Sequence, residues 1–172
     1  FQHDRVQQAA YSMIEPAKRK ALHLSIGRLM LIHTKQSALD AILMDVVGHF
    51  NEGRTLINDN AERKQLATLN LKAGIKAKQS SAYESALDYL LKGHEMLDSD
   101  AWQNEYELIW KLSEEIQHCL YLTGDRAGAD NWTEVMLTHA QTPIEKGLVL
   151  SARTRQYATI GKMRESIQAA YE

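Results

Sequence analysis

Apolar residues recur at helical spacing over most of this chain. Leu66, Leu69, Ala73 and Ala77 fall on one face of a helix, and Tyr83, Ala86, Leu87, Leu90 and Leu91 on one face of the next. A tight turn must join them. Gly74, Ala77 and Ala86 are small and stand where the two backbones would approach closely. Upstream, Val6, Ala9, Ala10, Met13 and Ile14 mark a first helix, which Glu15-Pro16 breaks. A second runs from Ala17 to about His33, with Leu22, Ile26, Leu29, Met30 and Ile32. Ala38, Leu39, Ile42, Val46 and Phe50 mark a third. Downstream, a long helix is expected from Ala101 to Leu122, with Ile109, Leu112, Ile116, Cys119 and Leu120 as its stripe. Gly124 ends it, and Asp125 starts the next, where Ala129, Trp132, Val135 and Met136 face inward. A last pair spans Pro143 to about Thr159 and Lys162 to the end, with Gly161 at the turn. No stretch alternates with the period of a strand. The expected fold is all-α, with about nine helices.

Helix starts carry a shared signature. A short oxygen-bearing side chain followed three residues later by an acid or amide can satisfy orphan N–H groups reciprocally. Asp59/Glu62, Ser81/Glu84, Asp100/Gln103 and Thr142/Glu145 have this spacing, and Ser37/Asp40 is a looser version. Pro16 and Pro143 suit first helical turns.

Composition narrows the function classes. The 172 residues carry a net charge of -2, so no global field draws the chain to nucleic acid or an acidic membrane. One cysteine, Cys119, excludes an internal disulfide. No apolar run approaches the roughly 20 residues that span a bilayer. The chain begins at Phe1 rather than Met, as a piece of a longer protein would.

The three downstream hairpins superpose on their turns. Ser81, Gly124 and Gly161 then fall at equivalent places, and Ala86, Ala129 and Ser166 on a small position five residues later. The turns lie 43 and 37 residues apart, against roughly 34 in a tetratricopeptide repeat. Degenerate repeats of that type would stack as antiparallel hairpins into a right-handed superhelix with a concave side open to ligands.

Candidate chemistry is sparse. Gly48-His-Phe-Asn-Glu-Gly53-Arg54-Thr55 has the spacing of a phosphate-binding loop, with Arg54 in place of lysine. Such a loop needs a strand before it and a helix after it, whereas the flanking pattern reads as a helix end and turn. Seven histidines show no HExxH spacing; His94, His118 and His139 could meet only through tertiary packing. His3 and Asp4 lack a nucleophile nearby. Cys119, on an apolar stripe, reads as a small buried hydrophobe. Lys72, Lys76 and Lys78, and the cluster Lys18, Arg19 and Lys20, are interspersed with acids and read as solvated faces. Trp102, Trp110, Trp132 and Tyr83 are the candidates for an interaction groove, since aromatic anchors serve binding surfaces.

FQHDRVQQAAYSMI, RKALHLSIGRLML, VVGHFNEGRTLI, LATLNLKAGIKAKQSSAYESALDYL and YLTGD together resemble a more specific arrangement. It is the helical-repeat region that follows the AAA- or STAND-type ATPase module of bacterial multidomain sensor histidine kinases and serine/threonine kinases. The resemblance spans nearly the whole chain, and HDRVQQAAY is its most specific part. It implies that residues 1–35 are helices from the end of an ATPase winged-helix subdomain and 36–172 tetratricopeptide-like repeats. It further implies a cytoplasmic, non-catalytic regulatory segment without a cofactor. Such a segment would bind a partner protein, other domains of its own chain or a small-molecule inducer, and couple that event to kinase output. The alternative is an oligomerisation module.

Overall fold

The computed structural model describes residues 14–171. Every regular element among them is helical: α1 (Pro16–His33), α2 (Leu39–Gly53), α3 (Asn60–Gln79), α4 (Tyr83–Glu95), α5 (Ala101–Asn104), α6 (Tyr106–Thr123), α7 (Arg126–His139), α8 (Pro143–Thr159) and α9 (Met163–Tyr171), with 3-10 turns at Gln36–Ala38 and Arg54–Leu56. The first helix expected from sequence, ahead of Glu15, lies outside the described residues except for Ile14. The chain divides into two compact units that part within α3, between Leu69 and Asn70.

In the first unit α1 and α2 run antiparallel and pack along their lengths. Two glycines set how close they come. A Cβ on Gly27 would lie 2.8 Å from the Phe50 ring, and one on Gly53 2.7 Å from both Leu24 Cβ and the Lys20 carbonyl oxygen. Leu24, Leu39, Leu43, Val46, Val47 and Phe50 are buried. The inward face of α1 therefore passes through Leu24 and Gly27. Of the stripe expected from the sequence, Leu22, Leu29 and Ile32 are exposed, at 42%, 55% and 75%. The apolar residues of α1 surround the helix, so spacing alone did not single out the buried face. Arg28 donates from Nε and Nη2 to the two carboxylate oxygens of Glu62, at 2.6 and 2.7 Å, a bidentate pair between α1 and the start of α3.

The second unit consists of hairpins: the end of α3 with α4, α6 with α7, and α8 with α9. Their turns are Ser81, Gly124 and Gly161, and these are the positive-φ residues among those described (φ 59°, 93° and 76°). At Ser81 and Gly161 the helix ends in a Schellman arrangement. Ala82 N–H donates to the Ala77 carbonyl (3.0 Å) and Ser81 N–H to that of Lys78 (2.9 Å). Lys162 N–H and Gly161 N–H repeat this on Tyr157 (3.0 Å) and Ala158 (3.1 Å). Ala86, Ala129 and Ser166, the small positions of the second helices, are all buried. A Cβ on Gly74 would lie 2.5 Å from Leu90 Cγ, so the first hairpin depends on that glycine for close approach.

Successive hairpins are joined by second helix against next first helix. α4 packs on α6, and α7 packs on α8. Across the latter contact Tyr157 donates to Asp130 (2.9 Å) and Arg153 to Glu134 (2.5 Å).

Two sequence expectations are corrected. The helix expected from Ala101 to Leu122 is interrupted at Glu105 (φ -132°, ψ 38°), whose carbonyl accepts from Leu108 and Ile109 to start α6. Of the five capping signatures, Thr142/Glu145 forms a full reciprocal box, and Asp59 accepts from Glu62 N–H (2.8 Å). Ser81 instead takes the left-handed turn position, Asp100 accepts from the Asn104 side chain (2.6 Å), and Ser37 lies in a 3-10 turn. Gly48 to Gly53 are helical and Arg54 and Thr55 lie in the 3-10 turn that follows, so the phosphate-loop spacing falls on a helix end and turn, as the flanking pattern reads. Gly53 answers to the approach of Leu24 rather than to a ligand.

Candidate interaction surface

The second unit carries the aromatic residues singled out from the sequence. Trp102, Tyr106 and Trp110 recur every fourth residue, and the break at Glu105 leaves them in contact. Trp102 meets Trp110 edge to face at 6.5 Å, and Tyr106 stacks on Trp110 at 5.7 Å. His139, at the end of α7, lies flat on Trp102 with centroids 4.2 Å apart. The Tyr106 hydroxyl donates to the His139 carbonyl (3.3 Å). Trp132 is elsewhere, with its ring against the edge of His94 at 4.9 Å. Tyr83 stands half-buried in the first turn of α4. The structure thus brings Trp102 and Trp110 together and leaves Trp132 and Tyr83 apart from that pair. Tyr106 is not among the sequence candidates, and His94 and His139 are weighed there only as metal ligands, although the regular row from Trp102 through Tyr106 to Trp110 is legible in the sequence.

Trp110 also borders a furrow between the first helices of two hairpins. An amide pair spans its floor. Gln117 Nε2 donates to Gln156 Oε1 (2.8 Å), and Gln156 Nε2 to Gln117 Oε1 (3.2 Å). The Tyr121 hydroxyl donates to the Gln156 carbonyl (3.4 Å). The furrow is about 330 Å³ and is lined by Glu114, His118, Tyr121, Arg155 and Thr159 besides the two glutamines. At the Trp110 end it continues into a small apolar notch with Met136, Leu148 and Val149. Gln117 is itself buried and reaches Thr133 of α7 (3.3 Å), so the floor is tied to the hairpin behind it.

The charges nearby are mostly paired within the unit. Lys78 of α3 donates to Glu115, whose side chain is 8% exposed, and Lys111 bonds Glu114 at 2.6 Å. Burial, together with the charge of Lys78, holds the His118 imidazole below its ordinary value of 6.5, so it stands neutral at pH 7. Burial likewise raises the Cys119 thiol, which keeps it protonated and unreactive.

His94, His118 and His139 have separate surroundings, and among the described residues no three metal-binding side chains converge. Among the described residues no helix is long and apolar enough to cross a membrane. The surface presents aromatic edges and paired amides, groups of the kind that contribute to recognition surfaces.

The full length of the chain is similar to a segment of the hybrid signal transduction histidine kinase G of Dictyostelium discoideum, 26% identical over 196 residues. The chain spans 6% of that protein's length. No family model matches the chain, and no solved structure matches it significantly.

Proposed function

We propose that this chain is a non-catalytic regulatory segment of a multidomain signalling protein, an ATP-dependent histidine or serine/threonine kinase with a STAND-type ATPase module. It couples binding of a partner protein, or of other domains of its own chain, to kinase output in the cytoplasm. Residues 1–35 derive from the end of the winged-helix subdomain, and 36–172 are tetratricopeptide-like repeats. In the second unit the hairpins stack in a right-handed sense, and their first helices form the recognising face.

The single observation that carries this reading is the hairpin series turning at Ser81, Gly124 and Gly161, with each second helix packed on the next first helix. That alternation is how helical repeats stack, and it leaves the furrow between α6 and α8 on the face of the first helices. The likeness to a hybrid histidine kinase supports a signalling context. The test is lysine crosslinking of the full-length protein with mass spectrometric readout. Links from Lys111 or Lys146, which flank that face, to another domain or a bound protein are expected. A full-length protein in which this segment links only to itself overturns the proposal.

A second reading, oligomerisation, has one observation in its favour. Met163, Ile167 and Tyr171 form an apolar row along α9 and are 59%, 55% and 88% exposed. Sedimentation of the full-length protein with and without the segment decides it: an unchanged oligomer size rejects this reading.

A further inference from the structure

His23 of α1 and His49 of α2 face each other across the close contact between those helices. Their Nδ1 atoms are 2.8 Å apart and their ring centroids 4.9 Å, with the planes tilted by 35°. The centroid separation is close to the N···N distance plus one ring radius on each side. The two nitrogens therefore point at each other nearly along one line. A metal ion needs about 2.0–2.1 Å to each nitrogen and does not fit between them in that geometry. A proton does. One imidazole must be the Nδ1–H donor and the other the acceptor, so the contact exists only while at least one ring is unprotonated at Nδ1.

We propose that His23 and His49 form a proton-operated clasp between α1 and α2. With no added proton, the pair shares a neutral N–H···N bond. With one, the bond is charge-assisted and stronger. With two, both nitrogens are donors, no acceptor remains, and two positive charges face each other. The helices must then separate at this level. Separation there opens the close-packed contacts on either side, Gly27 against Phe50 and Gly53 against Leu24, and leaves them underpacked. The second proton is thus read out as a change in how α1 sits on α2.

The charged surroundings fit this role. Burial and the facing His23 both lower the His49 pKa from 6.5, and Asp45, one turn earlier on α2, opposes them. Lys20 on α1 and Glu52 on α2 are the next charges along each helix. Arg54, in the 3-10 turn packed on α1, is turned to the Asn51 carbonyl (3.1 Å). Glu62, at the start of α3, is engaged by Arg28. A lowered folded-state value means that His49 favours the folded state above the ordinary imidazole range, and that this contribution is lost as pH falls through the folded value.

The experiment is an NMR titration of the imidazole nitrogens in the 172-residue protein, with His23→Gln and His49→Gln to assign them. The two rings are expected to titrate as a coupled pair, in two steps differing about tenfold or more in proton affinity. His49→Gln should abolish the coupling. The thermal midpoint of the wild type should also fall more steeply below pH 6.5 than that of either variant. Independent, single-step titration of both rings in the wild type overturns the clasp, as does a His23 curve unchanged by His49→Gln. Should a variant fail to fold, the wild-type titration alone still separates one step from two.

Discussion

Gly74 and Gly48 both lie inside helices, yet alanine should act on them with opposite sign. At Gly48 an added Cβ meets nothing within 4 Å. Gly48→Ala therefore gains only the helix-propensity and chain-entropy terms, about 0.5–1 kcal/mol of stability. At Gly74 the new Cβ would lie 2.5 Å from Leu90 Cγ, 2.7 Å from its Cδ2 and 3.2 Å from the Ala86 carbonyl oxygen. Leu90 is fully buried, so neither it nor the α4 backbone can step aside freely. Overpacking of this kind costs about 1–3 kcal/mol, and a propensity gain of about 1 kcal/mol offsets part of it. Gly74→Ala should thus lose up to about 2 kcal/mol net, or up to about 8 °C in thermal midpoint for a chain of this size. Urea denaturation followed by far-UV circular dichroism measures both variants. A third background gives the cause. In Leu90→Ala, itself destabilised by about 2–5 kcal/mol, the added penalty of Gly74→Ala should largely vanish. A Gly74→Ala protein as stable as Gly48→Ala would refute the claim that close helix approach at Gly74 builds the first hairpin.

Other substitutions test the caps, the ion pair and the pH response. Thr142→Ala removes the acceptor for Glu145 N–H at the α8 start and should cost about 1 kcal/mol in the same denaturation assay. Ser81→Gly should stabilise by up to about 1 kcal/mol, because glycine adopts the left-handed turn without a Cβ penalty. Glu115→Gln leaves the Lys78 ammonium without its carboxylate and should cost about 1–3 kcal/mol, with the loss reduced when Lys78→Met is added. Burial pushes the Glu145 carboxyl up, but bonds from the Gln141 and Thr142 amides and the Tyr106 and Thr142 hydroxyls outweigh it and hold the group below 4.5. Its stabilisation is present above that value and lost as pH falls through the folded value. Thermal melts from neutral to acid pH should accordingly show a shallower decline for Glu145→Gln than for the wild type.

Much of the helical framework was legible in the sequence, for reasons that these residues make plain. Turn positions need unusual backbone conformations, so aligning Ser81, Gly124 and Gly161 located the three left-handed residues. The stripe Ile109, Leu112, Ile116, Cys119 and Leu120 is buried throughout, because α6 is covered by α4 on one side and α7 on another. In α1 the same method misjudged the face, since apolar residues surround that helix and a glycine, Gly27, marks its closest contact. Capping signatures located helix starts better than cap bonds, because Ser81 and Asp100 found other local uses for their position and side chain. The furrow was not legible. Gln117 and Gln156 are 39 residues apart, and no local pattern announces that two polar side chains will pair across stacked helices. The same holds for His23 and His49, 26 residues apart.

The proposed function requires recognition by the face formed by the first helices of the hairpins. Hydrogen exchange of the chain alone, compared with the same segment inside the full-length protein, tests this most directly. Slower exchange is expected over 110–121 of α6 and 152–159 of α8, the walls of the furrow. Identical exchange there in both forms, with any protection confined to other surfaces, would contradict it.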